Sequence, residues 1–513
     1  MNDSLIKVTK IAGMAFVGSL AGLFIAFLCR LLIARNGTEA DYGVFSLAYG
    51  LLSILSVIAT LGMMDGVARN IAYARGSNDT TKINKFILTS IQYGLLVSTL
   101  LCIILFFSAN LIATGIFHDA ALVFPLKVLA FAVPFSTMLG IMVSVFQGFD
   151  NIKPRVYFND ILRNSIFLIF LLPIFFLELS FTWVFYALFA SFAVPCMIII
   201  VYATKRLPSP VKLITKLSFD PITKELLFFS LPLLGVAILS SVLAWSDTLM
   251  LGFYKSSVAV GLYNVAYPLA AFISSPVFAL RLIYIPVVSK LYAQNEMPEI
   301  KRNFSILTKW LCAATLPPFL ILFLFPETVI SFLFGDAYTP AINTLRILSA
   351  GFIINNILGL NGETLVAIGK TKFIMWATLA TSTLNVVINV VLIPPLGIEG
   401  AAIALITAMT SINIIRCLKL YSISKVQPLS KNLLKSMFTS ILLISILQYI
   451  LGNFVTVVWW MLPLLLILYY ALYGIAILIT KSFDQEDITM LMMVEKNLGI
   501  NLSIIKRIIR GFL

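Results

Sequence analysis

Six ionisable side chains stand in stretches that are otherwise almost continuously apolar: Arg30, Lys127, Asp247, Arg281, Arg346 and Glu363. A charge inside a membrane-spanning run is costly unless it faces water, a counter-ion or a ligand, so each needs a reason to be there. Arginine presents a planar fork that matches phosphate oxygens through two parallel hydrogen bonds. Arg30, Arg281, Lys127 and Arg346 are therefore candidates for holding a phosphate-bearing substrate, the last two opening the similar runs LKVLAF and LRILSA. Asp247 lies in LAWSDTLMLG, and Glu363 in LGLNGETLVAIG near Asn355, Asn356 and Asn361. These carboxylates can respond to a proton or a coupling cation. Alternatively, Asp247 pairs with Arg30 or Arg281 merely to satisfy both charges.

Other charges have plainer readings. Arg163, Lys309 and Arg416 lie near span ends, where a long side chain snorkels to the interface. Asp65 and Arg69, with Arg75 and Lys290, form either an inner gate and entry funnel or ordinary basic loops. The five cysteines sit in apolar runs without paired spacing, so neither a disulfide framework nor a metal site is expected. His118, the one histidine, falls in a loop and reads as solvated.

The elements that must position these groups are set by composition. Sixty per cent of the 513 residues are hydrophobic and 11% charged, against about 25% charged in ordinary soluble chains. The expected fold is an all-α polytopic membrane protein, because only helices or closed barrels satisfy the backbone in lipid and the apolar runs are too long for barrel strands. Fourteen spans can be drawn, at roughly 11–34, 43–64, 86–107, 122–146, 161–178, 182–203 and 226–251 in the first part. The others fall at roughly 258–287, 304–325, 342–367, 373–393, 398–420, 434–452 and 457–480. The run 258–287 holds Pro268, Pro276 and Pro286 and should kink.

This arrangement places 27 of the 36 Lys and Arg residues on one side and two, Arg35 and Lys255, on the other. The bias makes the basic side cytoplasmic, with both termini inside. The net charge of +14 is then a membrane property, drawn to anionic lipid, and does not imply nucleic acid. The first apolar run is too long for a cleaved signal and continues as a span.

An internal repeat organises the runs. Gly148, Asn164, Pro173 and Glu178 match Gly369, Asn385, Pro394 and Glu399 at an offset of 221, and GVFSLAY from Gly43 matches GLYNVAY from Gly261 at 218. Residues 1–203 and 226–420 are thus expected to form two six-helix bundles, parallel repeats joined by a basic linker at 204–225. Residues 434–480 add a hairpin, and 481–513 an amphipathic tail at the inner surface.

The run GKTKF…LNVVINVVLIPPLGIEGAAIA and the tract WSDTLMLGFYKSSVAVGLYNVAY resemble the second-half signatures of polysaccharide and lipid-linked oligosaccharide flippases. These are Wzx-type members of the multidrug/oligosaccharidyl-lipid/polysaccharide exporter superfamily, and the resemblance spans essentially the whole chain. It implies two bundles that open alternately to either side. It also implies a polyprenyl-phosphate or -diphosphate glycan loaded inside and released outside, with Arg30 and Arg281 at its phosphates and the last hairpin near its lipid tail. No cofactor is expected beyond a coupling cation or proton. The expected partners are the glycan substrate, membrane lipid and glycan-assembly enzymes. A drug or metabolite antiporter of the same superfamily is the nearest rival. A membrane-embedded glycan polymerase or ligase fits less well, since its catalytic groups want a sizeable outer loop.

Overall fold

The computed structural model describes residues 3–207, 219–426, isolated stretches between 435 and 449, and 458–479. Half of the linker at 204–225, much of the hairpin's first arm and the whole tail at 481–513 lie outside the described residues.

The described chain is helical throughout. The first part comprises α1 (Asp3–Asn36), α2 (Glu39–Ala59), α3 (Met63–Gly76), α4 (Thr80–Asn110), α5 (Val123–Ala130), α6 (Ala132–Gly148), α7 (Arg163–Phe176) and α8 (Trp183–Arg206). Next come α9 (Pro221–Tyr254), α10 (Ser257–Phe272), α11 (Ser275–Ala293), α12 (Met297–Leu324), α13 (Pro326–Leu333), α14 (Ile342–Ile357), α15 (Asn361–Ala367) and α16 (Thr371–Ser424), and a further helix spans Met461–Ile479. Side-chain caps fix several starts: Thr38 and Asp41 form a reciprocal capping box on α2, Asp79 caps α4 and Asp220 caps α9.

Among the described residues, eight helices are long and apolar enough to cross a membrane, or ten when each of two bent helix pairs counts as one span. The 54-residue α16 turns back on itself, and Ser257–Phe272 and Met461–Ala476 are shorter apolar helices, so the inventory is consistent with fourteen spans. Large side chains such as Phe107 and Phe176 are about four-fifths exposed, as lipid-facing residues are.

Three breaks refine the expected helices. The proline-rich run 258–287 is interrupted at Ile273 and Ser274, between Pro268 and Pro276. In α16 the chain stays helical through Pro394 and Pro395 and reverses at Gly397, whose φ of 59° and ψ of −128° suit only glycine. The arms then pack closely, because a Cβ on Gly400 would come within 2.2 Å of the Leu392 carbonyl oxygen. A π-helical segment, Arg155–Leu162, precedes α7 and widens the turn before Arg163.

By packing, the chain divides into two compact units, one of residues 1–264 with 389–401 and the other of 265–388 with 402–513. In the first, α2 crosses α10 through the repeat-related glycines. The ideal Cβ of Gly43 would fall 1.7 Å from the Ser257 carbonyl oxygen, and that of Gly261 2.0 Å from the Glu39 oxygen. Glu39 and Ser257 each begin their helix and show the repeat's 218-residue spacing, so the crossing is reciprocal. Small residues permit such close backbone approach within a membrane. In the second unit, the apolar cluster includes Tyr284, Phe304, Leu311, Leu360 and Leu420.

Candidate functional site

The first unit buries a polar network around Asp247. The α9 register places Asp247 and Thr248 side by side on a buried stretch, and α10 presents Tyr263 and Asn264 sixteen residues later. The Tyr263 hydroxyl donates to Asp247 Oδ2 at 2.7 Å, and the Asn389 amide of α16 donates to Oδ1 at 2.7 Å. Asp247 is only 4% exposed and Asn389 fully buried. Beside them the Asn264 amide meets the Thr248 hydroxyl at 3.1 Å, and the Tyr42 hydroxyl donates to the Asn264 carbonyl oxygen at 3.3 Å. The Arg30 guanidinium lies next to that Tyr42 oxygen. A chain of polar contacts therefore runs from Arg30 on α1 to the segment holding Asp247. Both carboxylate oxygens of Asp247 thus accept from neutral donors inside a buried site.

Arg30 also lines a small cavity of about 60 Å³ with Arg163, Phe45, Tyr49, Asn164 and Ser191 among its walls. Asn164 holds the wall together by donating to the Gly22 carbonyl at 3.0 Å and to the Asp160 carbonyl at 2.7 Å. The absence of a side chain at Gly22 lets α1 approach that segment.

The second unit contains Glu363, half-buried on α15 and within electrostatic reach of Arg416 on α16. Arg416 Nη1 donates to Asn413 Oδ1 at 3.4 Å, and the Asn413 amide donates to Asn355 Oδ1. Asn356 accepts from Ser274, while the Tyr284 and Thr364 hydroxyls meet at 2.8 Å. The asparagines expected near Glu363 thus serve mainly to tie α14 to α10–α11 and α16.

The remaining candidates lie apart. Arg281 and Lys290 are exposed on α11. Lys127 is exposed, its ammonium 5.8 Å from the centre of the Phe106 ring, and exposed Arg346 donates from Nε to the Phe323 carbonyl at 3.2 Å. Asp65 is exposed, and Arg69 stacks 4.2 Å over Phe229. Arg163 and Arg416, read from sequence as snorkelling, are both partly buried and both belong to polar clusters. Tyr263 and Asn389 were visible within the two signature tracts, but nothing in their spacing announced that they converge on one carboxylate. All five cysteines are free, and the described residues contain no group of His, Cys, Asp or Glu able to hold a metal.

Comparison with known proteins follows the same lines. The family model described as "Polysaccharide biosynthesis protein" matches residues 8–292, and the MatE model matches 232–391. A "Probable low-salt glycan biosynthesis flippase", Agl15 of Haloferax volcanii, is 27% identical over 161 residues, 31% of this chain and 34% of that protein. The match therefore spans about a third of that relative's length. The membrane protein MJ1068 of Methanocaldococcus jannaschii is 24% identical over 402 residues, 74% of this chain and 77% of its own. In three dimensions the chain resembles the lipid II flippase MurJ in an inward closed conformation, with TM-score 0.67, 17% identity, and coverage of 92% of this chain and 98% of that one. An inward-facing multidrug resistance MATE transporter gives TM-score 0.67 at 13% identity, covering 80% and 98%. At these identities the likeness speaks for the fold alone.

Proposed function

Because the chain belongs to the polysaccharide biosynthesis protein family, within the MOP exporter superfamily, we propose that it flips a lipid-linked oligosaccharide across the cell membrane. It is a multi-pass membrane transporter of the flippase type and not an enzyme. The finer reading is a polyprenyl-(di)phosphate-linked glycan, loaded from the cytoplasmic leaflet and released at the outer one for surface polysaccharide or glycan assembly. The polar head would cross in a water-lined path while the prenyl tail stays in lipid, which avoids moving many hydroxyl groups through hydrocarbon. Arg30, Arg281, Lys127 and Arg346 are proposed to serve the phosphates. Asp247 and Glu363 are proposed to answer to a proton or cation, and Asp65, Arg69 and Lys290 to form the cytoplasmic gate. Glycan-assembly enzymes on either side are the proposed partners.

The observation that carries this reading is the family match across residues 8–292, the part of the chain that holds Asp247 and Tyr263. Mass spectrometry of lipid-linked sugars in cells lacking the protein tests it. An accumulated polyprenyl-linked oligosaccharide on the inner face is the expected result. An unchanged lipid-linked pool, together with dye efflux by the purified protein, would instead favour the antiporter suggested by the MatE match at 232–391.

A further inference from the structure

We propose that the cavity between Arg30 and Arg163 is a binding site for a small inorganic anion, of the halide or orthophosphate class. Two guanidiniums line it together with Asn164, Ser191, Tyr49 and three phenylalanine rings, and no carboxylate is among its walls. Its volume of about 60 Å³ has room for a small inorganic anion.

The surrounding contacts leave the positive charge unbalanced. Among the described residues neither Arg30 nor Arg163 makes an ion pair. The nearest carboxylate in sequence, Asp160, is engaged elsewhere, accepting from the Ser19 hydroxyl at 2.6 Å and the Asn159 amide at 3.0 Å. Arg163 gives one hydrogen bond, to Asn164 Oδ1 at 3.3 Å, and lays its face 5.3 Å from the centre of the Phe192 ring. A guanidinium carries five N–H donors, so most of those on Arg163 remain for an occupant of the cavity. Arg30 meets the oxygen of Tyr42, whose own proton is spent on the Asn264 carbonyl. Both guanidiniums also act electrostatically on the Cys29 thiol, which donates to the Asn164 carbonyl in the same wall. They therefore converge from α1 and α7 on one spot. Two like charges with unspent donors, enclosed by aromatic rings, are stabilised most by an anion that accepts from both.

The site is internal to the first unit and shares Arg30 with the residues proposed above to serve the substrate's phosphates. It assigns Arg163 a role that its position near a span end had concealed. Through Tyr42 and Asn264 an anion here is linked to the residues flanking Asp247.

The test uses the purified full-length protein in lipid nanodiscs at constant ionic strength. Chloride or phosphate replaces gluconate, and the thermal midpoint is followed. Saturable stabilisation by chloride or phosphate is expected, since a ligand that binds only the folded state raises its stability with concentration. Arg163→Gln should weaken the apparent affinity about tenfold or more, the effect of losing one charge-assisted contact. Arg163→Lys, which keeps the charge and most of the bulk, should retain part of the response. No stabilisation over gluconate, an equal response in the Gln and Lys variants and the native protein, or stabilisation by a polyprenyl phosphate alone would each overturn the proposal.

Discussion

Replacing Asp247 separates a structural role from a functional one. The carboxylate accepts two hydrogen bonds of 2.7 Å, from Tyr263 and Asn389, in a site 4% exposed. Asp247→Ala removes both acceptors and strands two buried donors, each at a penalty of about 1–3 kcal/mol, so the variant should lose about 2–6 kcal/mol of stability. Asp247→Asn keeps an oxygen for the Asn389 amide and leaves the Tyr263 hydroxyl free to rotate and accept. The loss of charge assistance is offset by no longer burying a charge, leaving that variant within about 1–2 kcal/mol of the native protein. Denaturant unfolding in detergent measures the first quantity, and surface glycan in cells measures the second. If the carboxylate is titrated or cation-bound during transport, Asp247→Asn should fold normally yet lose surface glycan. Full surface glycan with Asp247→Asn would refute that reasoning and reduce Asp247 to a packing role.

Gly43→Ala should destabilise by about 1–3 kcal/mol through overpacking, because the obstacle to the new methyl is the Ser257 backbone and cannot rotate away. Gly261→Ala should behave alike, and thermal melts of both variants check the reciprocity of the crossing. Asp220→Ala removes both the N-cap of α9 and the 2.6 Å ion pair with Lys85, for a loss of about 1–2 kcal/mol in a partly exposed setting. The Lys85 ammonium, followed by the Thr223 backbone N–H, holds the Asp220 carboxyl well below the usual carboxylate range. Its contribution is therefore complete above the unfolded carboxylate pKa of about 4 and lost only as pH falls below that value. A melt series from pH 7 to pH 3, comparing native protein with Asp220→Ala, should show the difference shrinking at the acid end.

Much of this architecture is written in the sequence, because lipid leaves the backbone few choices. Long apolar runs, a one-sided distribution of basic residues and the repeated GVFSLAY and GLYNVAY tracts point to an all-helical bundle. Asp247 stands out for the same reason, as a lone carboxylate in an apolar stretch. Its partners do not, since packing brings Tyr263 to it from sixteen residues away and Asn389 from more than a hundred. Arg163 was hidden by a one-dimensional measure. Distance from a span end suggested snorkelling, whereas the π-helical turn Arg155–Leu162 leads into an arginine that lines a cavity with Arg30. The reversal at Gly397 was masked likewise, because Pro394 and Pro395 carried the louder signal and the left-handed glycine two residues on makes the turn.

Translocation by the purified protein bears most directly on the function. The full chain is reconstituted into vesicles carrying a polyprenyl-diphosphate oligosaccharide in both leaflets, and a glycan-cleaving enzyme is added outside. Protein-dependent cleavage of the inner-leaflet pool, diminished by Asp247→Asn, is the expected result. An inner pool that stays protected, in vesicles whose protein is folded and inserted, would contradict the assignment as a lipid-linked glycan flippase.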